Sequence, residues 1–534
     1  MQPISLLNSV IGPVMRGPSS SHAAGPYQIA STIRQLAAGC GERIERVQIA
    51  FDPAGSFAAV YTSQGSDEGF AAGFVGLAVT DESYAGALGA VAVGDPFPVE
   101  FAVRPLEVSD HPNRVEIAVD VRCADGARRA DRFRAVSTGG GMFLIDRLDG
   151  APLAVDGSGW TVIVEGDVHD ARRVAGDWGD PSAGSERRLQ FTLPTEPDPA
   201  ALDALVALRG IDRVRVAAPC QLAVASADPR IPDAATLAAD HDVDLAARAL
   251  EIESARLGVS IELVRRHFEE RLALMLLSVR RGLDADPAAD RMALLYPAAR
   301  RVAAAAAPSP IGSRFLQDAV AAALAVMEQG TNRGIVIAAP TAGSAGIVPG
   351  ILHALARSGA SEASLVDALQ VMSLVGGVFA QGGTFAAEMG GCSVETGASA
   401  AMAAGGLTHC LGGSGEQVFQ AASLCLMNTL GLVCDPVAGE VEIPCHARNI
   451  AGVSHAHVAA LATLSGFDAV MPFDHMVRAT VNVGRLMHAD LRCTSRGGCA
   501  EFCPGPRGAR SRQPVDIQLA ARPGAEQPGG QPAV

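Results

Sequence analysis

The sequence predicts a multidomain fold: an α+β N-terminal domain over residues 1–155, a small ferredoxin-like middle unit over 156–228, and an all-α C-terminal domain over 229–505. Three observations carry this prediction. Short β-branched runs of period two fill the first region, two strand-helix-strand halves follow, and Ala/Leu-rich stretches of helical period dominate beyond residue 230. At 534 residues and 49% hydrophobic, the chain is long enough for several substantial cores.

In the first domain Arg46–Ala50, Val99–Val103 and Val115–Val121 read as strands, and a helix is expected after Pro26. Phe51 to Gly69, FDPAGSFAAVYTSQGSDEG, has the Gly, Ser and Asp content of a loop that approaches a ligand closely. The middle unit is read from strands at Trp160–Glu165, Arg188–Leu193 and Val214–Ala217, with a helix from Pro199 to Leu208. The stretch from His169 to Glu186 between them is poor in apolar residues. In the last domain helices are expected over Asp242–Arg256, Ile261–Arg281, Phe315–Gln329 and Gln417–Gly431. Breaks at Ala339 to Gly346, Gln381 to Gly383, Gly390-Gly391 and Asp435-Pro436 make these helices begin and end around a shared feature. Residues 506–534, rich in Pro, Gly, Gln and Arg, read as a disordered tail.

Composition excludes several functions. A net charge of -15 and a pI near 5.3, with no basic block, argue against a nucleic-acid partner. The N-terminus has no basic region ahead of its short apolar stretch. No later run reaches about eighteen uninterrupted apolar residues, so a cytoplasmic protein without a membrane partner is expected. Eleven dispersed cysteines suit a reducing compartment better than a disulfide framework. All 42 basic residues are arginine. Without lysine this chain can form neither a pyridoxal phosphate Schiff base nor a Walker-type phosphate loop.

Cys392, Cys434 and Cys445 stand in GGCSVETG, GLVCDPVAGE and EIPCHARN, each beside a chain break that can turn a sulfur toward a common point. Three thiolates are an incomplete set for a 4Fe-4S cluster, leaving one iron open to act as a Lewis acid. A cysteine in an Ala/Leu-rich helix is otherwise a small core residue, the reading that suits Cys410 and Cys425. Near the N-terminus GPSSSHAAGP sets Ser19, Ser20, Ser21 and His22 just ahead of a helix, where hydroxyls and free N–H groups receive an anion or simply cap the turn. Thr341 and Ser344 in PTAGS lie at another expected helix start, with the same two readings.

Taken together and in order, GPSSSHAAGP, AAPTAGSAGIVPG, GGCSVETG, GLVCDPVAGE, IPCHARN and TSRGG resemble the bacterial iron-sulfur-dependent L-serine dehydratases (L-serine ammonia-lyases). Residues 1 to about 225 resemble the family's β part with an ACT-like segment, and about 235 to 500 its α part, here fused in one chain. The resemblance implies a 4Fe-4S cluster on Cys392, Cys434 and Cys445, without pyridoxal phosphate. It also implies an active-site role for Ser19, Ser20, Ser21 and His22 and a homo-oligomer. The implied reaction is dehydration of L-serine to pyruvate and ammonia, with His22 and Glu388 as candidate bases; Glu388 is equally readable as a partner of Arg448-Asn449. Ala23 stands where many members have threonine. The loop Thr62 to Asp67 lacks a family histidine, leaving Gly55, Ser56 and Asp67 to serve the substrate. These departures keep two alternatives open: elimination from cysteine or threonine, and a non-catalytic cluster-based amino-acid sensor. Some members cap the open iron with a tail cysteine, a role available to Cys499 or Cys503 in the run that also holds Cys493.

Overall fold

The structure is a computed structural model that describes residues 4–39, 41–226, 230–239, 244–286, 290–305 and 313–505. The expected disordered tail, 506–534, lies outside the described residues. Twelve strands form three sheets: β1 (Val14–Arg16), β2 (Arg43–Phe51), β3 (Val99–Val103), β4 (Arg114–Arg122), β5 (Arg128–Gly139), β6 (Met142–Leu148), β7 (Ala151–Val155), β8 (Trp160–Gly166), β9 (Ala183–Ser185), β10 (Arg188–Leu193), β11 (Ile211–Ala217) and β12 (Ile335–Ile337).

The N-terminal sheet has six strands in the order β3-β2-β4-β5-β6-β7, with β2 and β3 parallel. Strict alternation builds its core: Val115, Ile117, Val119 and Val121 are all at most 2% exposed, while Glu116, Ala118 and Asp120 face the other side. Helices Gly25–Ala37 and Ser66–Val75 cover that buried face. Two glycines let these helices touch, because a Cβ on Gly69 would lie 2.5 Å from the Ala23 carbonyl and one on Gly73 2.5 Å from that of Tyr27. The segment after Phe51 is less of a loop than its composition suggests. Gly55 starts a short helix, Ser56–Val60, and the helix Ser66–Val75 follows.

The middle sheet is antiparallel in the order β11-β8-β10-β9, with helices Ala171–Val174 and Pro199–Val206 on one face. Its other face shares a core with the N-terminal sheet through Ile163 and Ala217. Arg215 and Asp131, 3% and 1% exposed, seal this junction with a 2.7 Å ion pair.

The helical region follows its caps. Asp244 opens Leu245–Leu257, which ends at left-handed Gly258; Ser260 opens Ile261–Asp284; Ser313 opens Arg314–Thr331; and Ser414 with Gln417 forms a capping box on Gly415–Thr429. Helix Glu362–Gly382 is long and apolar enough to cross a membrane, but 78% of its most apolar window is buried among the other helices. The chain's first described residues also belong to this core. Leu6, Leu7, Val10 and Ile11 are fully buried in it, although the sequence places them with the N-terminal domain. Glu253 accepts the Leu6 and Leu7 N–H groups at 2.8 and 3.1 Å and the Ser5 hydroxyl, and β1 pairs antiparallel with β12. This strap carries the chain from the helical core into the serine-rich turn.

Candidate functional site

Cys392 sits in a tight turn, Gly391–Ser393, where Gly391 has φ +66° and its missing Cβ leaves room for the Leu432 carbonyl. That approach brings Cys392 against Cys434; their sulfurs and a Glu395 carboxylate oxygen all lie within 4.8 Å of one another. Cys445 opens helix Cys445–Leu464, and one turn on Arg448 reaches back to the Cys392 sulfur at 3.0 Å and to Asp435 at 2.6 Å. A further thiol packs against Cys392 and Cys434, whereas half-buried Cys445 lies outside both that cluster and the 4.8 Å group. Cys493, 9% exposed, follows a parallel bridge between Cys434 and Arg492, in which the Cys434 N–H donates to the Leu491 carbonyl at 2.7 Å and the Cys493 N–H to the Cys434 carbonyl at 2.8 Å. Its φ of +59° is unusual for a residue with a Cβ and is held by those bonds.

The donor chemistry fits a thiolate-bound metal centre. Burial holds the Cys445 thiol well above its ordinary range, and Cys392, hydrogen-bonded to the Cys434 sulfur and sealed from water, is raised as well. Crowded thiols whose anions are disfavoured by burial and by one another are groups that a soft metal cation would stabilise by replacing their protons.

The serine-rich motif forms a short helical turn, Ser20–Ala24, capped by Ser19, whose Oγ accepts the His22 N–H at 3.2 Å. His22 is fully buried, edge-on to Phe57. Its Nδ1 meets Ser21 Oγ at 2.9 Å and its Nε2 meets Ser56 Oγ at 2.9 Å. Ser21 donates its hydroxyl proton to Glu388 at 3.2 Å. Nδ1 must then carry the hydrogen it gives to Ser21, which leaves Nε2 as the basic nitrogen accepting from Ser56. Burial lowers the His22 pKa, with the Glu388 carboxylate opposing.

Among the described residues Glu388 makes no hydrogen bond to Arg448 or Asn449, the alternative role that the sequence left open for it. Arg448 serves Cys392 and Asp435, while Asn449 accepts the Gly346 N–H at 3.0 Å and donates to the Gly343 carbonyl at 2.8 Å. Glu388 instead accepts a second hydrogen bond, from Asn113 Nδ2 at 3.1 Å. Asn113 is 1% exposed, and its Oδ1 has no partner among the described residues. His111, two residues earlier, is half-buried, accepts the Asn113 N–H at Nδ1, and feels the Glu388 charge.

The two walls are joined by the loop carrying Thr341 and Ser344. Their hydroxyls lie 3.1 Å apart, the Ala342 N–H reaches Ser20 Oγ at 3.4 Å, and the Glu395 carboxylate lies against Gly343, where a Cβ would come within 3.6 Å of it. Burial pushes the Glu395 carboxyl up to about 8, with the nearby Glu388 charge adding to the effect. Asp67 stands apart: its carboxyl accepts the Glu68 N–H, and burial pushes it up to about 6. Of the tail thiols, Cys499 is exposed and Cys503 half-buried, while Cys493 lies in the cradle.

Sequence reading missed Asn113, His111, Glu395 and Cys493. The first two were findable as polar residues packed into one turn, DHPN, between strands. Glu395, three residues after Cys392, was visible only as spacing.

The family model of the serine dehydratase alpha chain matches residues 236–500, which lie in the helical region. Over 187 residues the chain is 42% identical to the L-serine dehydratase alpha chain of Peptoniphilus asaccharolyticus, spanning 35% of this chain and 64% of that protein. It is 38% identical over 187 residues to a probable L-serine dehydratase alpha chain of Latilactobacillus sakei, spanning 35% of this chain and 90% of the relative. It is 37% identical over 181 residues to L-serine dehydratase 2 of Escherichia coli (strain K12), spanning 33% and 40%. The chain thus spans 64% and 62% of the length of two of the alpha chains it matches.

Proposed function

The chain belongs to the serine dehydratase alpha-chain family, and we propose that it dehydrates L-serine to pyruvate and ammonia on a 4Fe-4S cluster. Cys392, Cys434 and Cys445 would hold the cluster, which when bound supplies a Lewis-acidic iron for loss of the serine hydroxyl. The observation that supports this reading is that the loop from Thr341 to Ser344 lies between the thiol pair with Glu395 on one side and the turn carrying the Ser21-His22-Glu388 chain on the other.

The chain's own groups divide the remaining work. Ser20, with the N–H groups of its turn, receives the substrate carboxylate. Asn113 Oδ1, buried and without a partner, accepts from the substrate ammonium while Nδ2 keeps Glu388 in position. Neutral His22 takes the α-proton at Nε2, with Ser56 beside it, and Ser21 passes the Glu388 charge to the imidazole through Nδ1. Glu395, protonated near neutral pH, holds a proton on the cluster side for the departing hydroxyl. The resulting aminoacrylate tautomerises to an imine and hydrolyses in water. Absence of lysine removes pyridoxal chemistry as a route to the same products on this chain.

The middle unit reads as ferredoxin-like and ACT-like, supported by its strand-helix-strand-strand-helix-strand order and its β11-β8-β10-β9 sheet. The test of function is a substrate panel on anaerobically reconstituted protein. L-serine is expected to give the highest kcat/KM; L-threonine or L-cysteine leading, or binding of serine without any product, would overturn the assignment.

A further inference from the structure

A second cavity, of about 360 Å³, lies behind the serine-rich turn, between the N-terminal strap, helix Gly25–Ala37, the segment after β11 and helix Ile261–Asp284. Neither the cysteines of the cradle nor Ser19, Ser20, Ser21 and His22 line it; only Ala24 of that turn does. Its charge is one-sided. Among the described residues no aspartate or glutamate lines it, while two arginines do, Arg16 and Arg271, in a chain whose net charge is -15.

Arg16 spends its N–H groups on the backbone carbonyls of Val79, Asp81 and Arg333, and its charge lies over the Tyr84 ring and near the Asp81 carboxylate. Arg271 has less. Its Nε is sealed from solvent without a hydrogen-bond partner among the described residues, and burial lowers the guanidinium pKa, opposed only by Glu270 on its own helix. Across the same cavity Gln221 Oε1 is also sealed and unpartnered, its Nε2 turned to Gln28 at 3.4 Å. Arg271 and Gln221, each with one unclaimed polar atom among the described residues, therefore both belong to the lining of a volume in the ordinary range for small-ligand sites.

We propose that this cavity binds a small carboxylate bearing a neutral hydrogen-bond donor, as in a 2-hydroxy acid, with Arg271 on the carboxylate and Gln221 Oε1 on the donor. A guanidinium matches a carboxylate in geometry and charge. The donor is a hydroxyl in preference to an ammonium, because among the described residues no carboxylate lines the cavity to offset a further positive charge beside Arg16 and Arg271.

Calorimetric titration of the full chain with three three-carbon probes tests this assignment. L-lactate is expected to bind saturably, and propionate, lacking the donor, and L-alanine, carrying an ammonium, each about tenfold more weakly or worse. Arg271→Met should weaken L-lactate by at least about tenfold, Arg271→Lys by less, and Gln221→Leu should bring L-lactate down to the level of propionate. A Ser21→Ala variant should bind L-lactate as the parent does, which separates this cavity from the serine site. Failure of the parent to bind L-lactate, or unchanged binding in Arg271→Met, overturns the site; equal binding of L-alanine and L-lactate overturns the neutral donor. Should Arg271→Met fail to fold, Arg271→Lys and Gln221→Leu carry the same decision.

Discussion

His22 is held neutral by the burial that brings it to Glu388, and that sets its pH behaviour. Its folded pKa lies below the ordinary 6.5, so as pH falls the unfolded chain binds this proton first, and the fold loses stability below about pH 6.5. If neutral His22 is the base, kcat/KM stays level from pH 8 down to 6.5 and falls only below that, a profile measurable by initial rates. Ser21→Ala removes the link between Nδ1 and Glu388 and should cut kcat by about 10- to 100-fold with iron content unchanged. Asp67 behaves in the opposite sense. Its carboxyl, raised from 3.8 to about 6, penalises the folded state progressively as pH rises between those two values and fully above them, so Asp67→Asn should stabilise the protein at pH 7.5 by roughly 1–3 kcal/mol. The gain should shrink as the pH of the unfolding titration drops from 6 toward 4. Residues of this kind are only partly legible in a sequence. Ser19 to His22 could be read because capping hydroxyls and an imidazole crowd one turn, whereas Asn113 acquires its role from a loop that reaches Glu388 across 275 positions of chain.

At the scale of elements, the serine-rich turn is positioned by a helix pair that tolerates no bulk. Gly69→Ala would set a Cβ 2.5 Å from the Ala23 carbonyl, at the end of the turn that carries His22. It should cost about 1–3 kcal/mol in denaturant unfolding and lower kcat while leaving iron content unchanged. The elements that could be read from sequence are those with strong local periodicity, such as β4 and helix Ile261–Asp284. Those that could not owe their form to distant partners. β1 and β12 are short strands that exist through each other, and Cys493 is drawn to Cys434 by a two-bond parallel bridge that no local pattern announces. The helix Ser56–Val60 was hidden by a Gly- and Ser-rich composition, yet it delivers Ser56 to His22 Nε2.

Over the whole molecule the N-terminal strap ties the serine-rich turn to the helical region that carries the thiols, since residues 4–16 pack in the helical core before the chain enters that turn. Deleting residues 1–16 should expose Glu253, which is fully buried and held by Ser5, Leu6 and Leu7, and empty the places of Leu6, Leu7, Val10 and Ile11. The helical region itself should then melt at lower temperature, with several kcal/mol lost, and a truncated chain melting like the parent would contradict this packing. The broad division of the chain was legible because composition and period change along it; the interleaving of its halves was not, because a short apolar segment carries no address for the core it joins. The cradle and the turn form one centre only if the thiols hold the group on which serine reacts. The most direct measurement is the iron and sulfide content of anaerobically reconstituted parent and Cys434→Ala proteins, assayed together with pyruvate formation from L-serine. The parent should bind iron and sulfide and form pyruvate, and Cys434→Ala should lose both; a Cys434→Ala protein that keeps both would contradict the account.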